Sequence, residues 1–169
     1  MDADISRSKI VRENDPHNWN SYDHYRTIHD KRIAEHSFID GTKPNTLEFQ
    51  FHEFKDELLL SLGGLVYCNH QITLDVEKWF ETRYVGKQLQ INCFSYRYIA
   101  SKHRGTLILK YHNLHENHGE YFHRIFNPQS GELVFTEVLK RSQFPTFTEV
   151  LDEMELLTRN FTKIFPNMP

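Results

Sequence analysis

The chain has 169 residues and a formal net charge of −3, with 38% hydrophobic, 25% charged and 14% aromatic residues. That composition supports one folded domain with a core rich in Phe and Tyr, and excludes a generally polybasic nucleic-acid binder. No apolar run approaches the ~20 residues that span a bilayer, and the polar start MDADISRSKIVREND is unlike a signal peptide, so a cytoplasmic protein without membrane contact is expected.

Residues 1–18 read as a mobile leader, and residues 19–163 as a single α+β domain. A helix is predicted from Trp19 to about Phe38, with Trp19, Tyr22, Tyr25, Ile33 and Ala34 on one face. Asp40-Gly41 and Lys43-Pro44 end it. From Thr46 the period falls to two: Leu47, Phe49 and Phe51 alternate with Glu48, Gln50 and His52. Leu58–Cys68 is a more apolar strand, and its Gly63-Gly64 pair predicts a bulge or bend. A turn at Asn69-His70 makes 65–82 a hairpin, in which Trp79 and Phe80 are expected in the core. Further strands follow at 89–100, Thr106–His112, Tyr121–Phe126 and Glu132–Val138. Thr146 and Glu149 match the capping box of a terminal helix with Phe147, Val150, Leu151, Met154 and Phe161 at helical spacing. Helix, meandering strands and helix together predict a single antiparallel, twisted β-sheet packed by an N-terminal and a C-terminal helix. Cys68 and Cys93 read as buried thiols, bridged only if their strands are neighbours.

Charge and histidine are unevenly placed. Residues 87–131 carry Lys87, Arg97, Lys102, Arg104, Lys110 and Arg124 against only Glu116 and Glu120. Five of the 11 His residues, His103, His112, His115, His118 and His123, fall in the same window. A local basic surface inside an acidic chain suits an anionic ligand, and imidazole titrates where it can move protons. Alternation puts Lys110 and His112 on one face of their strand; His123 faces the other way from Arg124.

Three readings stay open. His112, His115, His118 and His123 could ligate a zinc-like ion in a hydrolase, although their spacing is not that of a helical site. The same side chains could act as general acid and base while Lys and Arg hold a phosphodiester, the requirements of RNA cleavage without metal or cofactor. Or they are ordinary polar surface, the reading given to His17, His24, His29 and His36.

The stretch Phe94-Ser95-Tyr96-Arg97-Tyr98, then Gly105–Asn113, His115, His123-Arg124 and Pro145-Thr146 through Glu153 resembles the TumE-like toxins, small bacterial and archaeal proteins. The resemblance covers about residues 58–160. It implies the toxin half of a toxin–antitoxin pair, acting on RNA as an endoribonuclease and bound by a cognate antitoxin. Carried over by position, the residues it points to are Lys110, Tyr111, Asn113, His115, His123 and Arg124. One departure is His112, where the family usually has Asp; if that Asp is catalytic, activity here is altered. Combined with the charge pattern, the expected catalytic residues are His112, His115, His123, Lys110 and Arg124. The expected substrate-binding residues are Arg97, Tyr96, Tyr111, Asn113 and His118. A non-catalytic, partner-binding protein is the alternative, and a homodimer is left open.

Overall fold

Alternating apolar residues carry the chain through seven long strands, and that alternation decides which face of the sheet each side chain joins. The computed structural model describes residues 19–102, 105–114, 120–140 and 143–166. The expected leader, and His103, Arg104, His115 and His118, lie outside the described residues. The elements are β1 (Asn20–Ser21), α1 (Tyr22–Glu35), β2 (Glu48–Phe54), β3 (Glu57–Cys68), β4 (Ile72–Val85), β5 (Gln88–Lys102), β6 (Leu107–Leu114), β7 (Glu120–Phe126), β8 (Leu133–Leu139) and α2 (Phe147–Ile164). The fold is α+β. An eight-stranded antiparallel sheet runs β2-β3-β4-β5-β6-β7-β8, with β1 beside β5.

Both helices cover the same face. Ser21 caps α1 by accepting from the His24 amide, and Thr146 caps α2 by accepting from the Glu149 amide. Tyr25 of α1 packs edge-on against Phe80, and Phe147 of α2 packs beside Tyr98. Beneath them lie Leu60, Leu62, Val66, Leu74, Val76, Phe80, Tyr96, Tyr98, Leu109 and Tyr111, all buried. The helices are also tied to each other: Arg32 donates to the Thr148 hydroxyl, and His36 Nε2 donates to Asp152 at 2.8 Å while its Nδ1 accepts from the Phe38 amide. A lysine sits in this core. Lys78, 1% exposed, donates to the Tyr25 hydroxyl and lies over the rings of Tyr25, Tyr96 and Tyr98.

Three features differ from the sequence expectation. Gly63-Gly64 makes no bulge, since both pair in register with Glu77 and Val76. Gly64 instead has φ +145° and lets the Thr46 carbonyl approach to where a Cβ would stand 2.3 Å from it. The bulge comes in β5, where Phe80 opposes Cys93 but Trp79 opposes Ser95. It shifts the buried parity from Ile91 and Cys93 to Tyr96, Tyr98 and Ala100. Trp79 is not a core residue: along β4, Phe80 faces the helices, and Trp79 lies on the opposite face with Asp75 and Glu77. Cys68 and Cys93 are buried free thiols, on strands separated by β4.

Candidate functional site

The face without helices carries a cationic row. Strand register sets Ile99 opposite Lys110 and Lys110 opposite Arg124, while Arg97 lies opposite His112 and His112 opposite Phe122. Like charges directly across a ladder repel, so the Lys110–Arg124 pair destabilises the sheet unless an anion joins it. Arg97 has its anions: Glu77 at 3.0 Å and Asp75 at 3.6 Å. Among the described residues, no carboxylate forms such a pair with Lys110 or Arg124. Arg124 lies over the Phe122 ring, with its guanidinium carbon 5.3 Å from the centroid.

His112 sits between these groups, 6% exposed and stacked beside Phe122. Burial, and then the charges of Lys110 and Arg124, push its pKa down to about 4. It is therefore a neutral imidazole at pH 7. Its Nδ1 and the Nε of Arg124 are buried without a hydrogen-bond partner among the described residues. An anion seated between Lys110 and Arg124 would offset their repulsion, take up donors and raise the proton affinity of His112.

The sheet divides the residues that the sequence grouped together. Lys110, His112, Arg124 and Arg97 share the open face. His123, Tyr96 and Tyr111 are on the helix face and buried. His123 and His112 thus point to opposite sides of one sheet and cannot serve one scissile bond. His123 has both ring nitrogens engaged, Nδ1 with Glu137 at 2.8 Å and Nε2 with Glu153 at 2.6 Å. Tyr111 donates to the other Glu153 oxygen and stacks flat on the His123 ring, centroids 4.2 Å apart. Burial works against a charge on His123, but the two carboxylates outweigh it and raise its pKa. Burial and Glu153 raise the pKa of the Tyr111 phenol. This group joins α2 to the sheet, and no base can stack on Tyr111 there.

Tyr96 is 1% exposed and packs against Phe144. Asn113 is bound to backbone: Oδ1 accepts from the Tyr96 amide at 2.8 Å and Nδ2 donates to the Phe94 carbonyl at 3.2 Å. It closes the β5 bulge, so neither amide atom faces a ligand. His115 and His118 fall outside the described residues.

Sequence reasoning missed an aromatic group on the open face. Trp79 Nε1 donates to Glu77 at 3.2 Å, and its ring lies 4.8 Å from that of His52. Phe54 stacks beside His52, and the His52 Nε2 is 2.7 Å from the Ser61 hydroxyl. The parity of Trp79 with Asp75 and Glu77 was the available signal. On the other side of the sheet, a cleft of about 660 Å³ opens between α1 and the segment entering β2, lined by His29, Asp30, Lys43 and Phe49. No group of three or more His, Cys, Asp or Glu among the described residues is placed to hold a metal ion. No protein-family model, curated protein or solved structure matches this chain.

Proposed function

We propose that this chain acts on RNA as the toxin of a toxin–antitoxin pair, and that its open face carries the site. The observation that supports this is the Lys110–Arg124 pair, opposed across the ladder without a carboxylate partner among the described residues. Phosphate is the anion such a pair suits, held by a point charge on one side and a planar fork on the other. His112 is the base of a metal-independent cleavage. Its neutral imidazole accepts the ribose 2′-OH proton, the 2′-oxygen attacks phosphorus, and Lys110 and Arg124 stabilise the phosphorane. The leaving 5′-oxygen takes its proton from a second acid; the sequence offers His115 as an acid or a base, and it lies outside the described residues.

The test is binding and cleavage of single-stranded RNA by the full chain in EDTA. Lys110→Glu and Arg124→Glu are expected to weaken binding by at least tenfold and to reduce the slope of log affinity against log salt by ~0.7 each. His112→Gln is expected to abolish cleavage while leaving binding within a few-fold. Unchanged affinity in both charge reversals would refute the phosphate site; binding without any cleavage by the wild type would leave a non-catalytic RNA binder.

The cognate antitoxin has a surface to use in β8. Among the described residues this strand pairs only with β7, and it exposes Leu133 and Val138 by 51% and 62%. An extended antitoxin segment added there would satisfy the outward-facing backbone groups.

A further inference from the structure

The open face holds aromatic rings as well as cations, and the two groups lie a short distance apart. Trp79 opposes Ser95 on β5, whereas Lys110 opposes Ile99. The offset is therefore four residues along the strands and two strands across, about 16 Å in all. That span is within the reach of a few nucleotides of single-stranded nucleic acid.

The Trp79 ring is held in place rather than free to swing. Its Nε1 is fixed on Glu77, and His52 sits against it, itself held by Ser61. Phe54, 52% exposed, extends the group toward the sheet edge. A large aromatic side chain already held in one orientation loses little conformational freedom when a base stacks on it. Among the described residues no helix crosses this face to cover it.

We infer that Trp79, with His52 and Phe54 beside it, is a base-stacking subsite for single-stranded RNA whose phosphate is held at Lys110 and Arg124. The inference rests on the proposed phosphate site. It adds an RNA-binding element that accepts any base, because every base presents a π face and the rings offer few directional donors. The path of the strand across the sheet is then set by two anchors, a charge clamp on β6–β7 and a stacking platform on β2–β4.

The chain has two tryptophans, Trp19 and Trp79, so a Trp19→Phe variant leaves Trp79 as the sole indole fluorophore. This variant is titrated with single-stranded RNA of increasing length and, separately, with inorganic polyphosphate. RNA of about four nucleotides or more is expected to quench Trp79, whereas polyphosphate binds without quenching. Trp79→Ala in the otherwise native chain is expected to weaken RNA binding roughly 5- to 150-fold, to leave polyphosphate affinity unchanged and to keep the salt slope. Trp79→Phe retains most of the RNA affinity and controls for folding. Equal affinity for RNA and polyphosphate with no quenching overturns the stacking subsite and leaves the phosphate site standing. Loss of neither ligand on Lys110→Glu and Arg124→Glu overturns the phosphate site itself.

Discussion

Replacing His123 with Gln tests whether the Glu137–His123–Glu153 bridge is a structural cation. In the wild type, the Glu153 bond joins α2 to the sheet at 2.6 Å, from a carboxylate 21% exposed, so about 1.5–3 kcal/mol is appropriate for a charge-assisted bond. Glu137 is 43% exposed, and solvent screening limits its bond to ~0.5 kcal/mol. Stacking on Tyr111 adds ~0.5–1 kcal/mol. Gln recovers one neutral hydrogen bond of ~1 kcal/mol, which leaves a net loss of about 1.5–3.5 kcal/mol near pH 5.5. For a chain of 169 residues that corresponds to a Tm lower by roughly 3–14 °C.

The pH dependence separates this account from simple loss of packing. His123 has a raised pKa in the folded chain, so its stabilisation is complete below the unfolded value of ~6.5 and is lost as pH rises through the folded pKa. Tyr111 stays protonated across that range, because burial and Glu153 raise its pKa. Urea unfolding of wild type and variant at pH 5.5 and pH 9 should therefore show a stability difference that shrinks with rising pH. A difference that is constant or grows would refute the charged bridge.

Three other substitutions probe separate parts of the molecule. Asn113→Ala frees the Tyr96 amide and Phe94 carbonyl of the β5 bulge, and urea unfolding should show a loss of about 1–3 kcal/mol. Gly64→Ala places a Cβ 2.3 Å from the Thr46 carbonyl at φ +145°, so a loss of ~3 kcal/mol or more is expected from the same assay. His29, by burial and then the charge of Lys78, and His112, by burial and then Lys110, are both held down to about 4. Unfolded imidazoles take up protons below ~6.5 that these two refuse in the native state, so stability should fall as pH drops from about 6.5 to about 4. A His29→Gln, His112→Gln double variant should flatten that decline in urea titrations, and an unchanged slope would refute the assignment.

Much of the fold was legible because strands advertise themselves by period. Phe49, Leu62, Val76 and Leu109 sit where alternation places them, and the Thr146 cap starts α2 at Phe147. The bulge in β5 was not legible. An extra residue at Phe94 leaves no mark in composition, yet it reverses the parity of everything after it. Strict alternation over 89–100 would put Cys93, Ser95 and Arg97 on one side; Ser95 and Arg97 do share the open face, and Cys93 does not. Gly63-Gly64 carried a conformational signal whose cause, the Thr46 carbonyl, lies on a neighbouring segment and is invisible locally.

The candidate site was legible as a composition and misread as a single cluster. His112 and His123 are close in sequence and on adjacent strands, but their positions differ by an odd offset in the register, since Tyr111 rather than His112 opposes His123. One position of register therefore puts a protein's thickness of sheet between them. The consequences are chemical. On the helix face, carboxylates of β8 and α2 surround His123, raise its pKa against the effect of burial and commit it to joining two elements. On the open face, burial and then the charges of Lys110 and Arg124 lower the pKa of His112, whose Nδ1 is unpartnered among the described residues. The same side chain thus has its proton affinity raised at one position, where it joins two elements, and lowered at the other. Neither role follows from the number of histidines in the window; both follow from which face the pleat assigns and which charges already stand there.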